Sequence, residues 1–111
     1  MAITGLSKAL SLSADVINRN VAVNQIGAYA LGYTSDNIFY VQYVGRSDSD
    51  LNGRLLQHDG VYSQFMYGYY YSSKAAYEKE CRLYHQFTPP DNDIHPARPS
   101  GTNHTCPVCG G

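Results

Sequence analysis

Glu80 stands where an acid is costly. At about 100° per residue along a helix, Ala76, Tyr77, Leu83, Tyr84 and Phe87 fall within about 60° of it. Glu78, Lys79 and Arg82 take the polar side. A carboxylate aimed into an apolar stripe costs several kcal/mol unless a cation or hydrogen-bond donors meet it. Two arrangements would satisfy it: a salt bridge to Arg46 or Arg54, or a metal ion held from one rigid element. Arg54 and His58 form a second constellation, four residues apart and therefore on one helix face. A fixed cation beside a group that titrates near neutrality suits phosphate chemistry. The arginine stabilises developing charge and the histidine takes a proton. The same spacing also suits two solvated side chains. A third set lies at the end of the chain, where Cys106-Pro-Val-Cys109-Gly110 has the form of a zinc knuckle. Two thiolates do not close a structural site. Cys81 and His85 stand four residues apart on the helix of Glu80, about 100° and 140° round from it. Docking the tail there gives a Zn²⁺ site of Cys81, His85, Cys106 and Cys109, with His95 as the alternative ligand and His104 more remote. Without metal, Cys81 is a free thiol, His85 a surface residue and the C-x-x-C redox-labile or disordered. Zinc is the expectation because nothing else in the tail's composition orders it, and no thioredoxin-like strand precedes the motif.

The elements that carry these residues follow from pattern and punctuation. Ser13 caps a short helix from Ala14 to Arg19, with Val16 and Ile17 facing the body of the domain. Ile26–Tyr33 and Ile38–Val44 are β-prone runs joined by the polar loop Thr34–Asn37, an antiparallel hairpin. A helix over Leu51–His58 follows, weakened by Gly53 and closed by Asp59-Gly60. Phe65–Tyr71 is a third strand, with Gly68 marking a bulge or close backbone approach. Ser72 or Ser73 caps a helix over Lys74–Phe87, stopped by Pro89-Pro90. The opening dozen residues lack periodicity and are expected to fray. Residues 1–24 thus form an N-terminal extension, 25–92 the domain and 93–111 a tail packed on the last helix. The expected fold is α+β, a small three-stranded mixed or antiparallel sheet flanked by helices, with an irregular tail stapled by metal.

Together these pieces resemble the GIY-YIG nuclease domain. Gly27-Ala28-Tyr29 matches its first motif, with alanine in place of isoleucine or valine, and Tyr43-Val44-Gly45 matches the second. Arg46 lies three residues past Tyr43, where the family keeps a basic residue. Arg54, His58 and Glu80 match its helical arginine, the tyrosine-or-histidine one turn later and the metal-binding glutamate. Leu83, Pro89 and Asn92 follow in the family's order. The resemblance covers about Ile26 to Asn92. Three-residue motifs carry little information singly; seven positions in order carry much more. The resemblance implies hydrolysis of DNA phosphodiesters with one Mg²⁺ or Mn²⁺ on Glu80. Tyr29 would act as, or relay to, the general base, and Tyr43 and His58 would complete the proton network. Arg46 and Arg54 would stabilise the transition state, and Asn92 would position the glutamate or the phosphate. The plainer reading of Tyr29 and Tyr43, in a chain with 11 tyrosines, is packing.

Composition narrows the rest. The chain has 111 residues, 43% hydrophobic and 15% charged, which suits one domain with a real core and excludes a disordered acidic or basic tail. A net charge of −1 supplies no global field for nucleic acid. A nuclease of this charge is expected to rely on local phosphate contacts or on a protein partner for delivery. The alternative is a catalytically silent, zinc-binding module of nuclease-like fold that recognises protein or nucleic acid. No apolar run reaches the roughly 18 residues of a membrane span, and Met1–Leu12 lacks the pattern of a signal peptide. The odd cysteine count argues for thiolate or metal chemistry in a reducing, cytoplasmic setting. Oligomeric state stays open.

Overall fold

Two serines start the longer helices. In the computed structural model, which describes residues 4–110, Ser13 and Ser72 have extended backbone and accept hydrogen bonds from the N–H groups of Val16 and Ala75. Each satisfies a donor that the first helical turn leaves unpaired. They open α1 (Ala14–Asn20) and α3 (Ser73–Phe87). The second helix ends at Thr88, whose φ of 40° turns the chain left-handed just before Pro89-Pro90.

Between them lies an antiparallel sheet of four strands, not three, in the order β1-β4-β2-β3. β2 (Gly27–Ser35) and β3 (Ile38–Ser47) form the expected hairpin. Its connection is tighter than the expected four-residue loop. Only Asp36 and Asn37 turn, both left-handed at φ 52° and 66°, the geometry that matches the twist of two-residue hairpins and that Asp and Asn tolerate. β4 (Gln64–Tyr69) pairs with the other side of β2. The extra strand is β1 (Leu10–Ser11), drawn from the segment expected to fray. It covers the outer edge of β4, and the Ser7 and Leu12 N–H groups extend the pairing to the carbonyls of Tyr67 and Ser63 at 2.8 and 3.0 Å. A two-residue strand has no period to read; the unpaired edge of β4 recruits it. α2 (Leu51–Leu56) is shorter than expected, so His58 sits in the turn that follows it.

Alternation along the strands divides the core. Tyr29, Leu31 and Phe65 pack against Ile17 of α1 and Leu51 and Leu55 of α2. Ala30, Val41 and Val44 face Leu83 of α3. The central strand β2 is covered on both faces, which is why Gly27–Gly32 is buried throughout. Residues 1–3 and 111, the outer ends of the extension and tail, lie outside the described residues. Among the described residues no helix is long and apolar enough to cross a membrane.

Candidate active site and metal centre

A cleft of about 580 Å³ opens beside the end of the β2–β3 hairpin. Tyr29 of β2, Tyr43 and Arg46 of β3, Arg54 of α2 and Glu80 of α3 all line it, with Asp48 and Asp50 on the intervening loop. Five of the expected catalytic residues therefore converge from four elements. The sixth, His58, stands behind Tyr29, its Nε2 at 2.9 Å from the phenol oxygen. Its ring lies 5.5 Å from each of the Tyr29 and Tyr43 rings, centre to centre.

Gly45 makes this arrangement possible. It is the cross-strand partner of Tyr29, and the phenol lies directly over it. A Cβ built on Gly45 would meet the Tyr29 hydroxyl at 2.4 Å and ring carbons at 2.5 and 3.0 Å. The glycine of the second motif is thus a requirement of packing, a role its pattern alone did not show. Gly45→Ala should swing Tyr29 off His58 and destabilise the fold by about 1–3 kcal/mol, the usual penalty of overpacking. Thermal melting, with loss of the Tyr29–His58 contact in NMR spectra, would check it; a variant as stable as wild type with the contact intact contradicts it.

The ion pairs are as specific. Glu80 is buried, 8% exposed, and Arg46 donates from Nη1 to its Oε1 at 2.6 Å. Arg46 also donates from Nε and Nη2 to the two carboxylate oxygens of Asp48, at 2.9 and 3.3 Å. The Tyr77 ring supports the guanidinium from below, 5.1 Å from its centre. Burial lifts the Glu80 carboxyl above its ordinary range while Arg46 pulls it down. Of the two cations weighed for Glu80, Arg46 is the one that meets it; Arg54 is exposed, bonds Gln57 at 3.3 Å and keeps its charge on the cleft. Neither Asp48 nor Tyr77 was anticipated, although Asp48 stands two residues from Arg46 in a loop.

Burial, with Tyr43 next, pushes the Tyr29 phenol far above its usual range. Burial first, then the Arg54 charge, lowers His58 below its ordinary value. At neutral pH the imidazole is therefore neutral and the phenol protonated, so Tyr29 donates and Nε2 accepts. Because the native protein holds the His58 proton less tightly than the unfolded chain, stability falls as pH drops through about 6.5. The His58 ring should titrate below that value by NMR, and Arg54→Ala should raise its midpoint. A midpoint at or above 6.5 in the native protein would refute this.

Asn92 differs from its expected role. Its carboxamide is spent on the backbone of Val44, accepting from the N–H at 2.8 Å and donating to the carbonyl at 3.0 Å. With Asp91 N–H on the Gln42 carbonyl at 2.9 Å, it closes the free edge of β3. It therefore braces the strand that carries Tyr43 and is not among the residues that line the cleft.

The tail folds back on α3 and brings His85, His95, Cys106 and Cys109 together, their donor atoms all within 4.8 Å of one another. The group holds three of the expected ligands, His85, Cys106 and Cys109, with the alternative ligand His95 in place of Cys81; Cys81 and His104 are not part of it. Cys81 instead joins Tyr77 and Cys106 in a buried cluster behind the site, where burial pushes its thiol up to about 12. The donors fit a tetrahedral ion. Cys109 Sγ lies 3.4 Å from His95 Nε2, near the ~3.6 Å that zinc bond lengths require. His95 Nδ1 bonds the Pro96 carbonyl at 2.9 Å, leaving Nε2 as the free donor atom. His85 Nε2 is buried with no hydrogen-bond partner among the described residues, an omission that a metal bond would make good. Burial would raise the Cys106 thiol, but the N–H groups of Cys109 and Val108, with His95 and Cys81, pull it well below its ordinary range. These four residues could hold a metal such as zinc.

Compared with family models, curated proteins and solved structures, the chain matches none.

Proposed function

We propose that the chain is a metal-dependent endonuclease of GIY-YIG type that hydrolyses phosphodiester bonds of DNA, with zinc stapling its tail. The observation that carries this reading is the convergence of a buried carboxylate, two arginines and Tyr29 on one cleft, with His58 bonded to Tyr29 from behind. A single hard oxygen donor such as Glu80 fits Mg²⁺, which takes one or two carboxylates and fills its remaining positions with water and phosphate oxygens. Bound there, the ion would supply Lewis-acid activation of the phosphate. The chain's own groups do the rest. Arg54, which makes no ion pair among the described residues, draws the phosphate in and meets the charge that develops on it. Tyr29 takes a proton from the attacking water while passing its own to His58 Nε2. The two transfers are coupled, because burial disfavours a standing tyrosinate. Tyr43 packs beside both rings and holds their orientation.

One observation favours a second reading. Glu80 is closed by Arg46, and with a net charge of −1 the chain could serve as a silent, zinc-binding recognition module. A panel of fluorescent duplex, flap, branched and single-stranded DNAs with Mg²⁺ or Mn²⁺ separates the two. Cutting that stops with a chelator supports the nuclease and ranks its substrates. Binding without cutting on every substrate overturns it in favour of the module.

A further inference from the structure

The cleft and the metal centre are not independent. Cys106, a member of the metal cluster, is buried against Tyr77 and Cys81 of α3. Tyr77 is fully buried, and the Arg46 guanidinium lies over its ring. Arg46 in turn holds Glu80. Between His95 and Cys106 the tail also lends Ala97 to the wall of the cleft, anchored by the buried Pro96 and Pro99 on either side. Two routes, one through a ring and one through the chain, thus join the tail to the residues around Glu80.

We infer that Tyr77 is a positioning residue through which the metal-bound tail sets the Arg46–Glu80 pair, so that zinc at the tail governs the geometry of the cleft. The physical basis is confinement. A guanidinium over a ring is held only while the ring is held, and Tyr77 has Cys106 at its back. Tied into a four-ligand site, Cys106 is a fixed wall. Released from metal, it belongs to a tail segment with almost no other buried side chains to keep it in place. Arg46 would keep its bonds to Asp48, an exposed loop residue, and lose the support that aims Nη1 at Glu80. The consequence for catalysis rests on the nuclease reading; the coupling itself rests on the contacts alone.

The test uses the full chain, ¹⁵N-labelled and loaded with Zn²⁺, and follows solvent exchange of the Arg46 Nη1–H protons, the group that bonds Glu80, assigned by their absence in Arg46→Lys. Removing zinc with a chelator should speed that exchange roughly five- to thirtyfold, the range a partly desolvated cation–π contact supports, while the β2 amides stay protected. Tyr77→Leu should give the same rise with zinc still bound one per chain, and Tyr77→Phe, which keeps the ring, should restore slow exchange. Exchange that ignores zinc overturns the inference, as does a failure to bind zinc at one per chain. Loss of β2 protection together with the Arg46 signal also overturns it, since that is general unfolding. If Tyr77→Leu does not fold, the chelation result on the unsubstituted chain decides alone. No readout depends on turnover: a protein that cuts no DNA yet shows zinc-dependent Arg46 exchange refutes the nuclease and retains the coupling.

Discussion

Glu80→Gln should abolish metal-dependent cleavage and leave the fold nearly intact. Glutamine keeps the size of the side chain and an oxygen that can still accept from Arg46 Nη1, now bonded to Oε1 at 2.6 Å. What it removes is the charge that would bind a divalent cation. The loss of Lewis-acid activation is worth several kcal/mol, so the expected fall in rate is about a thousandfold or more. Stability should change far less. Deleting one partner of a buried pair can cost about 3–5 kcal/mol when the other is stranded. Here Arg46 is not stranded, because Asp48 retains two bonds to it. A melting temperature within a few degrees of wild type is therefore expected. Glu80→Ala is the less informative change, since it also leaves a cavity beneath the guanidinium. Cleavage by Glu80→Gln at the wild-type rate would remove Glu80 from the chemistry. Loss of folding in Glu80→Gln would show instead that the ion pair is structural.

How much of this was legible in the residues depends on what fixes each part. α3 was readable because three independent signals agree on it: a serine cap, a helical period and a proline stop. Glu80 was readable for the opposite reason, as a charge that violates the period, and the structure buries it and gives it a cation. The Tyr29–His58 pair needed more. Each residue could be placed on its element, but the 2.9 Å contact depends on Gly45 leaving room, which no local pattern encodes. β1 was invisible because two residues carry no alternation, and its stability comes from the edge it covers. The tail was half legible. The helical spacing of Cys81 and His85 is local and puts both near the metal end of α3, yet which one ligates depends on the path of residues 88–105. That path has no regular hydrogen bonding and is set by prolines and by contacts distant in sequence, such as Asn92 on Val44. The same path carries His95 to the cluster, so the four grouped donors are two sulfurs and two nitrogens where three sulfurs were expected.

Removing the metal should have the largest effect on stability of any single change. The tail after Thr88 buries few side chains, chiefly Pro89, Pro96, Pro99 and Cys106, too little apolar surface to offset the entropy of ordering it. A metal held by His85, His95, Cys106 and Cys109 would supply what is missing. Free zinc at a thousand times its dissociation constant stabilises the native state by about 4 kcal/mol, which for a domain of this length is roughly 15 °C or more in Tm. Calorimetry with and without a chelator should show that shift, and metal analysis should find one zinc per chain. Two cysteine substitutions then locate the site. Cys109→Ser removes a ligand at an exposed position and should lose zinc and the stabilisation together. Cys81→Ala should keep both apart from a small packing loss, because Cys81 lies behind the cluster and outside the ligand set. Zinc lost with Cys81→Ala as well as with Cys109→Ser would restore the three-sulfur set. A chelator that leaves Tm unmoved would mean the tail is held by its prolines and by Cys106 packing on α3, with no metal at all.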